Sequence, residues 1–101
     1  MTDRMFMVSV DITDPAFEVG SLKRLIKDSK DISGWWNHIP SLYLIRTKLD
    51  EDQLTDLLRD ATRDARLLVM QVEPSVSQGW LRERSWQWIK RHKAKDNQVA
   101  S

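Results

Sequence analysis

A chain of 101 residues without cysteine can bury one core, and it excludes disulfides, zinc-thiolate sites, cysteine nucleophiles and iron–sulfur clusters. The formal net charge of +1 excludes steering to nucleic acid by total charge, although charge is unevenly placed: residues 50–64 are acidic and the run from Leu81 to Lys95 is strongly basic. No apolar run approaches the roughly 20 residues that cross a bilayer. The start MTDRMFMVSVD also lacks the basic-then-apolar order of a secretory signal, so the expectation is a soluble, cytoplasmic protein with no membrane partner.

The segment MFMVSVDI alternates as a strand does, sending Phe6, Val8, Val10 and Ile12 one way and Met5, Met7, Ser9 and Asp11 the other. After Asp14-Pro15, FEVGSLKRLIKDSKD gathers Val19, Leu22, Leu25, Ile26 and Ser29 on one helical face against Lys23, Arg24 and Lys27. WWNHI and SLYLIRTKL read as two strands with a turn at Pro40-Ser41. LDEDQLTDLLRDATRDARL then places Leu54, Leu57, Leu58, Ala61 and Ala65 at helical spacing, with Asp50 as N-cap and Gln53 completing a capping box. LLVMQVE is a fourth strand, ending before Pro74.

The order β-α-β-β-α-β predicts one α+β domain over residues 1–101: a ferredoxin-like core at about 5–73, with an antiparallel sheet and both helices on one face, and a tryptophan-rich tail at 74–101. Two helical stripes cover one sheet face, yet both faces carry apolar residues, as in Met5 and Met7 against Phe6 and Val8. The second face therefore needs a cover, either the tail or a second copy of the chain. A helix in GWLRERSWQWIKRH would set Leu81, Ser85, Trp88 and Ile89 on a stripe with Trp86 at its far margin, too wide for one surface, which leads to the expectation of a homodimer. Trp35 and Trp36, adjacent on a strand, should part to opposite faces, with His38 on the side of Trp36.

Asp11 is the first candidate for chemistry, because a carboxylate at a strand end offers the hard oxygen that Mg²⁺ takes, and a two-fold dimer would duplicate it. The alternative is that Asp11 caps a turn through its side chain. His38 and His92 show no metal-ligand spacing, so a hydrogen-bonded His38 within the hairpin is the plainer reading. With three glycines and no GxSxG, phosphate-cradling loops and nucleophile elbows are absent. In the tail, Arg82, Arg84, Lys90, Arg91 and Lys93 interleave with tryptophans, a pattern that grips a phosphate backbone while rings stack on bases. The same pattern also describes an amphipathic helix whose rings pack and whose cationic heads stay in water.

VSVDITD at the first strand end, SLYLIRTKLDEDQL entering the second helix and RLLVMQVE as the fourth strand resemble the small CRISPR-associated ferredoxin-like proteins. That resemblance implies a dimer serving as an integrase scaffold and, for some members, a metal-dependent nuclease whose aspartate at the first strand end matches Asp11 as catalytic and Mg²⁺-binding residue. GWWNHIPSLYLIRT and GWLRERSWQWI are similar to short bacterial SinR-like proteins, over most of the chain. Two functions follow as expectations: a nucleic-acid-linked homodimer, with metal-dependent endonuclease activity left open, or a non-catalytic homodimer that binds another protein.

Overall fold

The computed structural model of the chain describes residues 3–74 and 78–100, with side chains as far as Arg91. The elements run β1 (Arg4–Val10), α1 (Val19–Asp28), β2 (Ile32–Ile39), β3 (Leu42–Thr47), α2 (Glu51–Thr62), β4 (Leu67–Val72) and α3 (Glu83–Ala100). The strands form one antiparallel sheet in the order β2-β3-β1-β4. The fold is thus α+β, with the sheet and helices alternating along the chain as the periodicities require.

Register assigns the two faces. β1 pairs Phe6 with Ile45 and Val8 with Tyr43 on one side, and Met5 with Arg46 and Met7 with Leu44 on the other. The first set joins Leu22 and Ile26 of α1 and Leu54 and Leu58 of α2 in a single core, so both helices cover one face. α2 begins as its sequence dictates: Gln53 N donates to Asp50 Oδ1 at 2.8 Å, and Asp50 N donates to Gln53 Oε1 at 3.0 Å. Two of the helix's orphan N-terminal donors are thereby satisfied.

The opposite face is covered by this chain's own α3, which packs against β2. Ser85 and Ile89, four residues apart and hence on one stripe of α3, are buried, as are Met5 and Trp36 beneath it. Trp35 pairs with Ile45 and packs on the core under the helices, whereas Trp36 pairs with Leu44 and faces α3, so the adjacent rings do part. The cover stops short of β4, where Leu68 and Met70 remain 55% and 49% exposed.

Arg46 lies on this second face and is only 4% exposed. Its Nε donates to Asp3 Oδ2 at 3.3 Å, and Ser33 Oγ sits 2.7 Å from the same carboxylate oxygen. Ser33 falls where the β2–β3 register slips between Ile32 and Gly34, and that irregularity brings its hydroxyl to the pair. A second slip, between Trp36 and Ile39, surrounds Asn37, whose Nδ2 donates to the carbonyls of Ile39 at 2.9 Å and Leu42 at 2.8 Å. Asn37, rather than His38, ties the hairpin together.

Candidate functional site

The first turn of α3 forms as Ser85 N and Trp86 N both donate to the Arg82 carbonyl, at 2.9 and 3.3 Å. Once Ser85 and Ile89 fix the buried stripe, the 100° per residue of a helix turns Arg84, Trp88 and Arg91 together toward one flank. That flank meets the outer edge of β2. The result is a recess of about 360 Å³, lined by Lys23, Trp35, Trp36, Asn37, His38, Arg84, Trp88 and Arg91. Lys23 arrives from α1 on the other side of the sheet, so the recess wraps the edge strand from both faces. A second hollow, of about 420 Å³, continues it along His38, Arg82, Arg84 and Ser85.

Among the described residues, no carboxylate lines either hollow. Arginine and lysine stay charged at neutral pH, so the positive potential there is not neutralised from within the lining. The His38 ring lies 5.5 Å from that of Trp36, tilted by 41°. Aromatic faces thus sit among cationic groups in a strip with both stacking surfaces and phosphate donors. Of the basic residues predicted from sequence, the fold brings Arg82, Arg84 and Arg91 to this strip. Lys90 is exposed on the other flank of α3, and the side chain of Lys93 lies outside the described residues.

A third feature adjoins the recess. Between the second sheet face and α3 lies an apolar cleft of about 430 Å³, whose lining includes Met5, Met7, Leu44, Val72, Trp80 and Trp86. Trp36 and Trp88 line both it and the recess. Trp36 is 4% exposed, and its Nε1 has no hydrogen-bond partner. Buried indole N–H groups ordinarily find an acceptor.

Asp11 leaves β1 at the same end of the sheet, with β3 between it and the recess. Val10 N donates to the Ser41 carbonyl and Asp11 N to that of Arg66. Its Oδ1 accepts from Thr13 N at 3.0 Å and from Thr13 Oγ1 at 2.5 Å, and its Oδ2 accepts from Arg66 at 3.0 Å. The Thr13 hydroxyl and amide, followed by the Arg66 guanidinium, hold the carboxyl below its ordinary value near 3.8. Within one chain this is the bonding of a turn cap. Among the described residues no cluster of three or more histidine, aspartate or glutamate side chains is placed to share a metal ion. Both carboxylate oxygens of Asp11 are thus engaged within the chain, by Thr13 and Arg66.

The chain matches no family model, no curated protein and no solved structure. Among the described residues, no helix is long and apolar enough to cross a membrane.

Sequence reasoning did not single out Lys23, which reads as one more solvated flank of α1. It gave the tail tryptophans, Trp88 among them, a stacking role beside packing, but only the path of α3 past β2 brings Trp88 with Arg84 and Arg91 to the β2 edge. The spacing of Arg84, Trp88 and Arg91 at i, i+4 and i+7 is the signal that could have grouped them.

Proposed function

We propose that this protein is a cytoplasmic, homodimeric binder of single-stranded nucleic acid with a ferredoxin-like fold. The observation that carries the reading is the recess at the β2 edge, where Lys23, Arg84 and Arg91 surround Trp35, Trp36 and Trp88 with no carboxylate among the described residues of the lining. A duplex shows its bases only at groove edges. A narrow cationic strip carrying ring faces instead suits a strand whose bases are free to stack. The ferredoxin-like assignment is supported by the β-α-β-β-α-β element order, the sheet order β2-β3-β1-β4 and the shared core of α1 and α2.

Fluorescence anisotropy with labelled oligo(dT) or oligo(U) across salt concentrations tests it. Three phosphate contacts give a slope of about −2 in log K against log salt, and Arg84→Ala with Arg91→Ala lowers that magnitude by about 1.4. Binding that ignores salt, or that survives the double substitution unchanged, contradicts the reading. Metal-dependent cleavage belongs to the same proposal as a further arm. It requires two Asp11 carboxylates, one from each copy, to displace Arg66 and hold Mg²⁺. Strand cleavage that is abolished by EDTA and lost in Asp11→Ala supports that arm, and cleavage retained in Asp11→Ala excludes it.

A second reading, a non-catalytic homodimer that binds another protein, is favoured by the uncovered apolar strip of Leu68 and Met70 on the edge strand β4 and by the fully exposed Trp80. Sedimentation at tens of micromolar, an ordinary dimer affinity range, should show a dimer that Met70→Lys breaks. A monomer under those conditions contradicts self-association in either reading.

A further inference from the structure

The sheet has two edges: β2, which borders the recess, and β4. The direction of the β4 peptide groups follows from its ladder with β1. Asp11 N donates to the Arg66 carbonyl, which makes that facing pair a hydrogen-bonded one, and such pairs alternate along an antiparallel ladder. Leu68, Met70 and Val72 therefore turn their backbone groups to Ser9, Met7 and Met5 of β1, while Leu67, Val69 and Gln71 turn theirs outward. Among the described residues, no other strand pairs with that outward row. Edge strands are ordinarily guarded by charge, proline or a bulge. LLVMQV has none of these: its register with β1 is unbroken from Leu67 to Val72, and the nearest charges lie beyond its ends, at Arg66 and Glu73. Leu68 and Met70 add exposed apolar side chains on the second face.

We infer that β4 pairs antiparallel with β4 of a second copy, about a two-fold axis through Val69, so that two four-stranded sheets join into one of eight strands. The inference rests on the homodimer proposed above and deepens it by naming the surface. Side chains that face each other across a ladder lie on the same side of the sheet, so a two-fold pairing must set core-face residues against core-face residues. An axis through Val69 meets that condition. Leu67 faces the partner's Gln71, Gln71 faces the partner's Leu67, and Val69 faces its own counterpart; these outward-turned pairs exchange about six N–H···O=C bonds. The exposed Leu68 meets the partner's Met70 and the exposed Met70 the partner's Leu68, so the apolar strip covers itself. Moving the axis to Met70 loses one bonded pair within the strand and sets Glu73 against the partner's Leu67. Charge favours a second copy as well: antiparallel pairing brings the Arg66 end of one strand beside the Glu73 end of the other, opposite signs rather than like ones. The β2 edges then stand at the two far ends of the joined sheet, so the recess of each copy stays open.

Sedimentation of the full chain at tens of micromolar, with circular dichroism to confirm folding, tests the pairing. Gln71→Pro removes an outward N–H and leaves the β1 ladder and the apolar strip in place, so it should weaken the dimer about tenfold or more. A dimer made by stacked sheet faces should keep its affinity in that variant. Leu68→Lys and Met70→Glu should each weaken self-association to a similar degree. An equimolar mixture of the two should recover a dimer, because the introduced ammonium of one copy then faces the introduced carboxylate of the other. If Gln71→Pro unfolds the chain, the mixture still decides the matter. A dimer unchanged by Gln71→Pro, or no recovery on mixing, overturns the pairing about Val69 while leaving self-association standing. A monomeric parent overturns both, and leaves the edge to a strand from another protein.

Discussion

On one face of the sheet, α1 and α2 leave Phe6, Tyr43 and Leu58 wholly buried. On the other, a single helix buries Met5 and Trp36 but leaves Leu68 and Met70 about half exposed, at 55% and 49%. The difference follows from numbers of stripes: two amphipathic helices span a four-stranded sheet, and one does not. The fully covered face is a core and little else. The partly covered face carries the cleft, the cationic edge and the uncovered strip, so the features that invite a partner lie where the packing is incomplete.

Graded truncations break or sharpen this contrast. Leu58→Ala should cost about 3 kcal/mol in denaturant unfolding, because the closed core cannot collapse onto the lost volume. Ile89→Ala, under the half-cover, should cost about 2 kcal/mol, and Met70→Ala on the open strip about 0.5 kcal/mol or less. A Met70→Ala cost that rises with protein concentration would identify the strip as the interface between copies.

The second face also holds a charge. Asp3→Ala should destabilise by about 2 kcal/mol, since it removes the carboxylate to which the Nε of the buried Arg46 donates. Asp3→Asn, which keeps one acceptor oxygen, should recover part of the loss in the same unfolding measurement.

Much of this was legible and some was not, for physical reasons. Alternation in β1 separates Met5 from Phe6 correctly because a strand has period 2, and the Asp50–Gln53 capping box is local enough to read from spacing. The parting of Trp35 and Trp36 was legible on the same ground. The burial of Arg46 was not, because its partner Asp3 lies 43 residues away and the contact exists only once β1 has paired with β3. β2 begins at Ile32, before the tryptophans, since Ser33 and Gly34 resemble a loop until pairing with β3 draws them in. The recess was half legible: the tail's arginines stood out, but Lys23 joins them only through the sheet edge.

On the covered face, Tyr43 supplies a smaller and opposite effect. Its hydroxyl is buried without a partner, and burial pushes its pKa above 10.0. Tyr43→Phe should therefore raise stability, by about 1 kcal/mol, the gain from removing an unsatisfied buried group. A loss of similar size would show that the hydroxyl is bonded in solution.

The smallest effect belongs to Asp11. Because its carboxyl titrates below 3.8 when folded, the unfolded chain binds more protons as pH falls past that value, and stability declines with it. The contribution is present above pH 3.8 and is lost through the lower folded value. Asp11→Asn should be less stable than the parent near neutrality, and the two should converge in acid. A constant difference down to pH 2, well below ordinary carboxylate values, would place the effect in packing rather than in charge.

The most direct test of the central claim, that the β2 edge is a single-strand site, is the salt dependence of oligo(dT) affinity in the parent and in the Arg84→Ala, Arg91→Ala double substitution. A slope near −2 is expected for the parent, falling in magnitude by about 1.4 in the variant, with at least about a tenfold loss of affinity at low salt. Equal slopes and affinities in the two proteins would contradict it.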